Sequence, residues 1–439
     1  DWEPALALAK ELGVSLFAGE LEDHVDTVLK DAQEGCLKPL YNVMDQLPTL
    51  DVAPTPWLPK EALKKAWNWT SIDLGRGCPF LCSFCTIINV QGRLSRSRSV
   101  ESVVEYFRVQ AKRGVTRYLF TDDNFARNKN WEVLLDGIIK LREEEGIIID
   151  YFMQVDTKAT RIPRFVEKAK LSGCSIVFLG IESVRQESVK AAGKTQNKVA
   201  ELRDMVMTWK RAGILTQGAF IIGFPTDTPE SIAEDLEFIK TNIPIDVYES
   251  TMLMPLPGSA DHRQLLGDGV AMDLDFNRYD GTMTAMEHPN MSREQWAALY
   301  WKMYHVFYSW SHIETIFKRA LACGLSPSRV FGSVFGYYGP IKIENLHPLV
   351  CGTMRRKFRH ARRYGLPLES PWIFYPKRLL EVVRTQVRRM VFISKLAVVM
   401  VWAWQKVRKN GYTDTAIEQR ENDQVTPEMS TKLSQVALG

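Results

Sequence analysis

Cysteine is scarce in this chain: there are seven in 439 residues, an odd number. So small and odd a set excludes a disulfide-stapled scaffold and suits a reducing compartment. Strong net charge is missing as well. A formal charge of +4 is too small to argue for a nucleic-acid partner, and none is expected. The chain has no solenoid-type repeat, no visible signal peptide and no initiator Met. Its opening, DWEPALALAKELGVSLFAGELE, reads as a helix, a short strand and a turn. That is the expected end of a unit that begins further upstream. The charge is unevenly placed. From Met354 to Lys409 there are fifteen Lys and Arg against Glu369 and Glu381. The basic excess of the chain belongs to that segment.

Three of the cysteines stand together, Cys78, Cys82 and Cys85, in GRGCPFLCSFCTIIN. The spacing is Cys-x3-Cys-x2-Cys. A loop of that spacing can wrap three thiolates around one cuboidal iron–sulfur cluster. Four-cysteine ferredoxin patterns close every iron of such a cluster. Three ligands leave one iron open to bind a small molecule and pass it an electron. Cys36, Cys174, Cys323 and Cys351 are scattered and offer no nearby fourth ligand. The alternative is a zinc site with three thiolates and a distant fourth ligand. Zinc ribbons normally show a second Cys-x2-Cys pair, and this chain has none.

Four prolines between Leu47 and Lys60 argue for an extended linker. From Ser71 onward, short apolar runs alternate with amphipathic stretches. The strand candidates are TSIDLG, VTRYLFTDD, IIIDYFMQVD, SIVFLGIES, ILTQGAFIIGFP and VYESTMLMPLP. Helical stretches such as VESVVEYFRVQAKRG and NWEVLLDGIIKLREEEG lie between them. This is the pattern of a parallel sheet with crossover helices. Six such units predict an α/β fold, a partial (β/α)6 barrel two units short of the full barrel. The expected organisation is a remnant of an upstream domain at 1–22, a linker at 23–69 and the barrel at 70–259. A mostly helical C-terminal domain at 260–378, a basic apolar helix at 379–409 and a disordered tail at 410–439 follow. His262, His288, His305 and His312 sit beside Trp and Tyr beyond the barrel, a setting for packing rather than catalysis.

The cysteine loop, with Phe84 before its last cysteine and a strand running into it, resembles the radical S-adenosylmethionine superfamily. The resemblance runs from Ser71 to near Ser259. It implies a [4Fe–4S] cluster on Cys78, Cys82 and Cys85. It also implies S-adenosylmethionine on the open iron, cleaved by one electron to a 5′-deoxyadenosyl radical. Barrel chemistry sits at the C-terminal strand ends, so the resemblance assigns cofactor contacts there. Phe84 belongs to the cysteine loop. The second strand ends in Asp122 and Asp123, one of which would receive the methionine ammonium. The family's Gly-Gly-Glu-like motif is not matched there, so both aspartates stay open, and either can also serve as a helix N-cap. Gln154 and Asp156 share a face of the third strand. Glu182 and Ser183 correspond to ribose and carboxylate contacts. Gly218, Ile222 and Gly223 match a Gly-x-Ile-x-Gly stretch bordering the adenine, where glycine permits close approach. Pro257 lies in the loop that closes beneath it.

Gly19, Glu20 and Glu22 followed by the linker resemble the cobalamin-binding branch, which includes hopanoid methylases and the anaerobic magnesium-protoporphyrin monomethyl ester cyclase. The branch's Asp-x-His-x-x-Gly cobalamin motif is absent from these residues. The resemblance implies a cobalamin-dependent methyltransferase acting on an unactivated carbon of an apolar, lipid-like substrate. A radical cyclase or rearrangement enzyme, and a non-catalytic zinc or iron–sulfur scaffold, are the alternatives. A flavodoxin- or ferredoxin-type reductant would supply the electron. The run MVFISKLAVVMVWAW, 390–404, has basic flanks and is short for a span. It is expected to lie on an anionic membrane surface, with Phe392, Leu396, Trp402 and Trp404 entering the acyl boundary. The expected location is the cytoplasm, peripheral on the inner face of the membrane.

Overall fold

The computed structural model describes residues 3–51, 53–348, 357–362 and 365–419. Six parallel strands form the main sheet. We label them β1 (Trp69–Ile72), β2 (Arg117–Phe120), β3 (Asp150–Val155), β4 (Cys174–Glu182), β5 (Leu215–Ile222) and β6 (Val247–Met252). Their spatial order is β6-β5-β4-β3-β2-β1, so each strand pairs with its neighbour in sequence. The crossovers carry α1 (Val100–Lys112), α2 (Trp131–Glu144), α3 (Phe165–Ser172), α4 (Leu202–Arg211) and α5 (Pro229–Asn242). This is the expected six-unit open barrel. A helical region follows, with α6 (Arg293–Phe307), α7 (Trp310–Ala322), α8 (Pro327–Glu344) and α9 (Pro371–Asn410).

The strands alternate as a sheet covered on one side and open on the other. In β3, Tyr151, Met153 and Val155 are buried against the helices, while Phe152 and Gln154 face inward and are part-exposed. The same parity carries Phe178 on β4, Gln217 and Ile221 on β5 and Thr251 on β6 to the inner face. Helix ends are set by their caps. Thr228 accepts from the Ser231 amide to start α5, with Pro229 at the first turn. Gly173 ends α3 at φ 106°, and a side chain there would come within 2.1 Å of the Ile149 carbonyl oxygen.

The open edge of β6 is sealed by side chains. Residues of a parallel strand point their amide and carbonyl alternately to either side. On the outer side, the Tyr308 hydroxyl accepts from the Tyr248 amide at 2.9 Å and donates to the Tyr248 carbonyl at 3.0 Å. Tyr304 does the same for Ser250, at 2.9 and 2.7 Å. Four residues apart along the helix axis is about 6 Å, close to the rise of two strand residues. One row of phenols therefore replaces a missing strand. Trp296 and Tyr300 continue the row, and the Trp296 indole donates to the Ile222 carbonyl at 3.2 Å.

Helix α9 spans 40 residues, or about 60 Å, longer than the basic apolar helix expected at 379–409. Among the described residues it is the one helix long and apolar enough to cross a membrane by length and composition. It docks on α7 and α8 through Phe392, Leu396 and Ala403, all buried. Phe392 meets Trp310, Phe335 and Tyr338. The expectation that Phe392 and Leu396 enter a bilayer is therefore overturned: a stripe on α7 and α8 already covers them. Trp402 and Trp404 stay exposed, at 58% and 43%. The start of the expected disordered tail is also packed. Arg203 donates to the Ala416 carbonyl and Arg319 to Asp414, and Ala416 is buried. Residues 420–439 and Cys351 lie outside the described residues.

Candidate functional site

The cysteine loop leaves β1 through a two-residue strand, Gly75–Arg76, which pairs antiparallel with Arg96–Ser97. Gly77 is at φ 97°, and its missing side chain leaves room for the Leu94 carbonyl, 2.4 Å from where a Cβ would stand. Cys78, Cys82 and Cys85 are free and part-buried. Burial pushes all three thiols up, and the Asp123 carboxylate adds to this at Cys78 and Cys85. Among the described residues, no three His, Cys, Asp or Glu side chains converge as a single metal ion would need. A cuboidal cluster asks less, since each thiolate meets a different iron.

Three segments brace the loop. The N-terminal segment holds its entry: Arg76 donates to Glu20, to Glu22 at 2.6 Å and to Asp73 at 2.7 Å. Arg96 reaches the same Glu20 and the Pro48 carbonyl. The loop after β4 holds the middle. Ser83 donates its amide to the Ala192 carbonyl at 3.0 Å, and the Gln196 amide lies 3.9 Å from the Cys82 sulfur. The loop after β6 holds the exit, where the Asp261 amide meets the Ser83 carbonyl at 3.0 Å and Asn89 donates to the Gly258 carbonyl. Pro257 is exposed beside this tie, and Phe84 packs against the core from the loop itself.

The two aspartates after β2 have different surroundings. Asp122 turns inward: its Oδ2 accepts from the Leu74 amide at 2.8 Å, and burial pushes its carboxyl up to about 8. Asp123 bears electrostatically on two of the thiols, and burial pushes it up to about 6. Its Oδ2 is buried without a hydrogen-bond partner, as is Oδ1 of Asp122, but of the two aspartates it is Asp123 that bears on the thiols. A buried carboxylate oxygen with no donor is a place for an incoming cation. Asp156 is fully engaged instead, by Arg127 at 2.6 and 2.7 Å and Asn124 at 3.0 Å. Gln154 faces the barrel interior.

Glu182 ends β4 at φ 67°, uncommon for a residue with a side chain. The β4–β5 register slips between Gly180 and Glu182, a bulge that re-aims the side chain. Its carboxylate pairs with Lys194, and both are buried. Burial works against the Lys194 ammonium, but Glu182 and the nearby Cys82 sulfur more than offset it, so its pKa is raised. Asn197 fixes the bend by donating to the Gly180 and Ile181 carbonyls at 2.9 and 2.8 Å. Ser183 is spent locally, accepting from the Arg185 amide at 3.0 Å.

Gly218 and Ile222 are on the helix-covered side of β5. A Cβ at Gly218 would stand 3.1 Å from Ile245, and one at Gly223 would fall 2.0 Å from the Trp296 ring. These glycines make room for Ile245 and Trp296. The inner face of β5 and β6 carries Gln217 and Glu249, joined at 2.6 Å. Glu249 is buried, which raises its pKa. Lys194, Gln196, Asn197, Gln217 and Glu249 were not singled out from the sequence. The GKTQN run is an ordinary polar loop, and Gln217 and Glu249 look like solvent-facing strand positions.

Residues 72–239 match the model of the radical SAM superfamily. The chain is similar to the bacteriochlorophyllide d C-12(1)-methyltransferase of Chlorobaculum tepidum, 29% identical across 62% of this chain and 58% of that protein. It is also similar to the hopanoid C-2 methylase of Rhodopseudomonas palustris, 26% identical across 55% and 46%. The anaerobic magnesium-protoporphyrin IX monomethyl ester cyclase of Rubrivivax gelatinosus is 27% identical across 50% and 39%. The chain thus spans about half the length of these relatives. A solved cobalamin-dependent S-adenosylmethionine radical enzyme aligns with 95% of this chain and 67% of its own, at TM-score 0.49 and 13% identity.

Proposed function

Because this chain carries a radical SAM domain across residues 72–239, we propose that it cleaves S-adenosylmethionine reductively to methylate an unactivated carbon of an apolar substrate. The observation that carries the proposal is the grouping of three free thiols in one braced loop with the unpartnered Asp123 oxygen and the Glu182–Lys194 pair. Cys78, Cys82 and Cys85 hold the [4Fe–4S] cluster. Bound there, the cluster supplies the electron that splits S-adenosylmethionine. Asp123 receives the methionine ammonium. Lys194 faces the methionine carboxylate, which frees Glu182 to accept from the ribose hydroxyls. A zinc scaffold has no use for an acid and a buried cation so placed. Anaerobic reconstitution with iron and sulfide, followed by assay for 5′-deoxyadenosine, tests the reading. Stoichiometric zinc and no 5′-deoxyadenosine would reject it.

Methylation and an apolar substrate are supported by the relatives named as bacteriochlorophyllide and hopanoid methyltransferases. Cobalamin is proposed as a further cofactor on the Gly19–Glu22 segment's resemblance. Glu20 and Glu22 are bound to Arg76 and Arg96, so their role here is to tie this segment to the cysteine loop.

Glu182→Gln should keep the visible absorption of the cluster and weaken S-adenosylmethionine binding. A hydrogen bond to a charged group is worth about 1.5–3 kcal/mol, roughly tenfold to a hundredfold in affinity. The amide keeps the shape of the side chain and avoids the empty space that Ala would leave beside Lys194. An unchanged dissociation constant in a binding titration would remove Glu182 from the site.

The membrane reading rests on the face of α9 opposite its docked stripe. Leu380, Val383, Val387, Met390, Val391 and Val398 are all half or more exposed there. Lys377, Arg384, Arg388, Lys395 and Lys406 follow at spacings of seven, four, seven and eleven, which keeps them along one border of that face. An apolar face edged by cations suits the interface of an anionic bilayer on the cytoplasmic side, with Lys377 and Lys406 also paired to Glu369 and Glu314. Val383→Glu with Val391→Glu should reduce flotation with anionic vesicles by tenfold or more while leaving the fold intact, and salt should weaken the wild type. Equal flotation of both proteins would show that this face does not meet lipid.

A further inference from the structure

A cavity of about 200 Å³ opens beside the cysteine loop, between the segments that follow β3 and β4. Its floor includes Gln196, which is 4% exposed and whose side-chain amide lies 3.9 Å from the Cys82 sulfur. One side chain thus separates this recess from a thiol of the loop. Its rim carries Lys158, Arg161 and Lys198, the last two with side chains 54% and 57% exposed. Two carboxylates share the rim. Glu201 pairs with Arg161 and lies 3.5 Å from Lys198, while Asp204 is turned to Arg203 at 2.7 Å. The rim therefore holds three cations and two carboxylates, an excess of one positive charge, with Lys158 lying apart from the Glu201 pairs. The flank of the loop at Arg76 is different, covered by the N-terminal segment through Glu20 and Glu22.

We propose that this cationic recess is the docking site of an acidic one-electron donor protein of the flavodoxin or ferredoxin type. The proposal rests on the reading that the three thiols hold a cluster, and it names the face through which that cluster is reduced. The donor's reduced flavin or iron–sulfur centre loses one electron and the cluster gains it, with no covalent bond made or broken. Electron-transfer encounters are small and transient, so a small recess with a net positive rim suits one. Complementary charge speeds the encounter and orients it, and the Gln196 floor brings the donor to the loop at Cys82.

The test uses an acidic bacterial flavodoxin and the full chain. Lys158→Glu with Lys198→Glu reverses the rim, and Lys112→Glu with Lys140→Glu makes the same charge change on exposed positions of α1 and α2. Calorimetric titration at low salt should show flavodoxin binding weakened at least tenfold by the rim variant and little changed by the helix variant. Flavodoxin-driven 5′-deoxyadenosine formation should fall with it, while the dithionite-driven rate stays at the wild-type value. Wild type and rim variant should converge as salt rises. Equal weakening by both variants, or none by the rim variant, would overturn the proposal. Dithionite-driven cleavage absent from the wild type would instead count against the radical reading, and the binding titration would still decide the docking site.

Discussion

Cys78→Ala, Cys82→Ala and Cys85→Ala should each abolish S-adenosylmethionine cleavage and bleach the visible absorption of the reconstituted protein. The loop supplies three thiolates and the described residues offer no replacement nearby, since Cys36, Cys174 and Cys323 are isolated in other parts of the chain. Removing one thiolate leaves an iron without a protein ligand, and the other two cannot span the gap. The loss should be complete rather than graded, and the same at all three positions. The fold should survive, because the loop is also held by the Ser83 and Asp261 amides and by Arg76. Circular dichroism should match the wild type while 5′-deoxyadenosine falls below detection. A variant that kept both its absorption and its cleavage activity would show that its cysteine is not a ligand.

The largest effect on stability should come from Lys210→Met. Lys210 on α4 pairs with Asp246 immediately before β6, and both side chains are fully buried. Asp246 also accepts from the Thr216 amide and hydroxyl, each at 2.9 Å. The group therefore fixes α4, the start of β5 and the start of β6 to one another. Removing one partner of a buried pair leaves the other charge without solvent or counter-ion, at a cost of about 3–5 kcal/mol. The double variant with Asp246→Asn should recover part of this, because the remaining amide is neutral. Urea unfolding midpoints of the wild type, the single and the double variant would measure the effect. A single variant as stable as the wild type would mean that this pair does not hold the three elements together.

The sheet was legible because each strand is a short apolar run ended by a turn signal and followed by a helix-period stretch. Local pattern and topology agree there, and parallel order follows from the crossovers. The cysteine loop was legible because its spacing is a covalent constraint. The Glu182 partner was not. Lys194 lies twelve residues away in a polar loop, and only the bend held by Asn197 brings it back to the strand end. Gly218 and Gly223 show a different gap. A sequence shows that a Cβ is missing but not what occupies its place, which here is Ile245 and Trp296. For α9, apolar residues occur on two opposite faces, and periodicity alone does not say which face a neighbour covers. Tyr304 and Tyr308 read as aromatic packing, because the backbone groups they meet belong to a strand more than fifty residues away.

Those two phenols have a consequence for exchange with solvent. An edge strand ordinarily offers every second amide to water, and such amides lose their protons early. In β6 the outward amides of Tyr248 and Ser250 are held by hydroxyls that are themselves buried. In deuterium exchange this margin of the barrel should therefore behave as an interior strand. Its protons should be released only when α6 lifts away from the sheet, so their exchange rate becomes a clock for that separation.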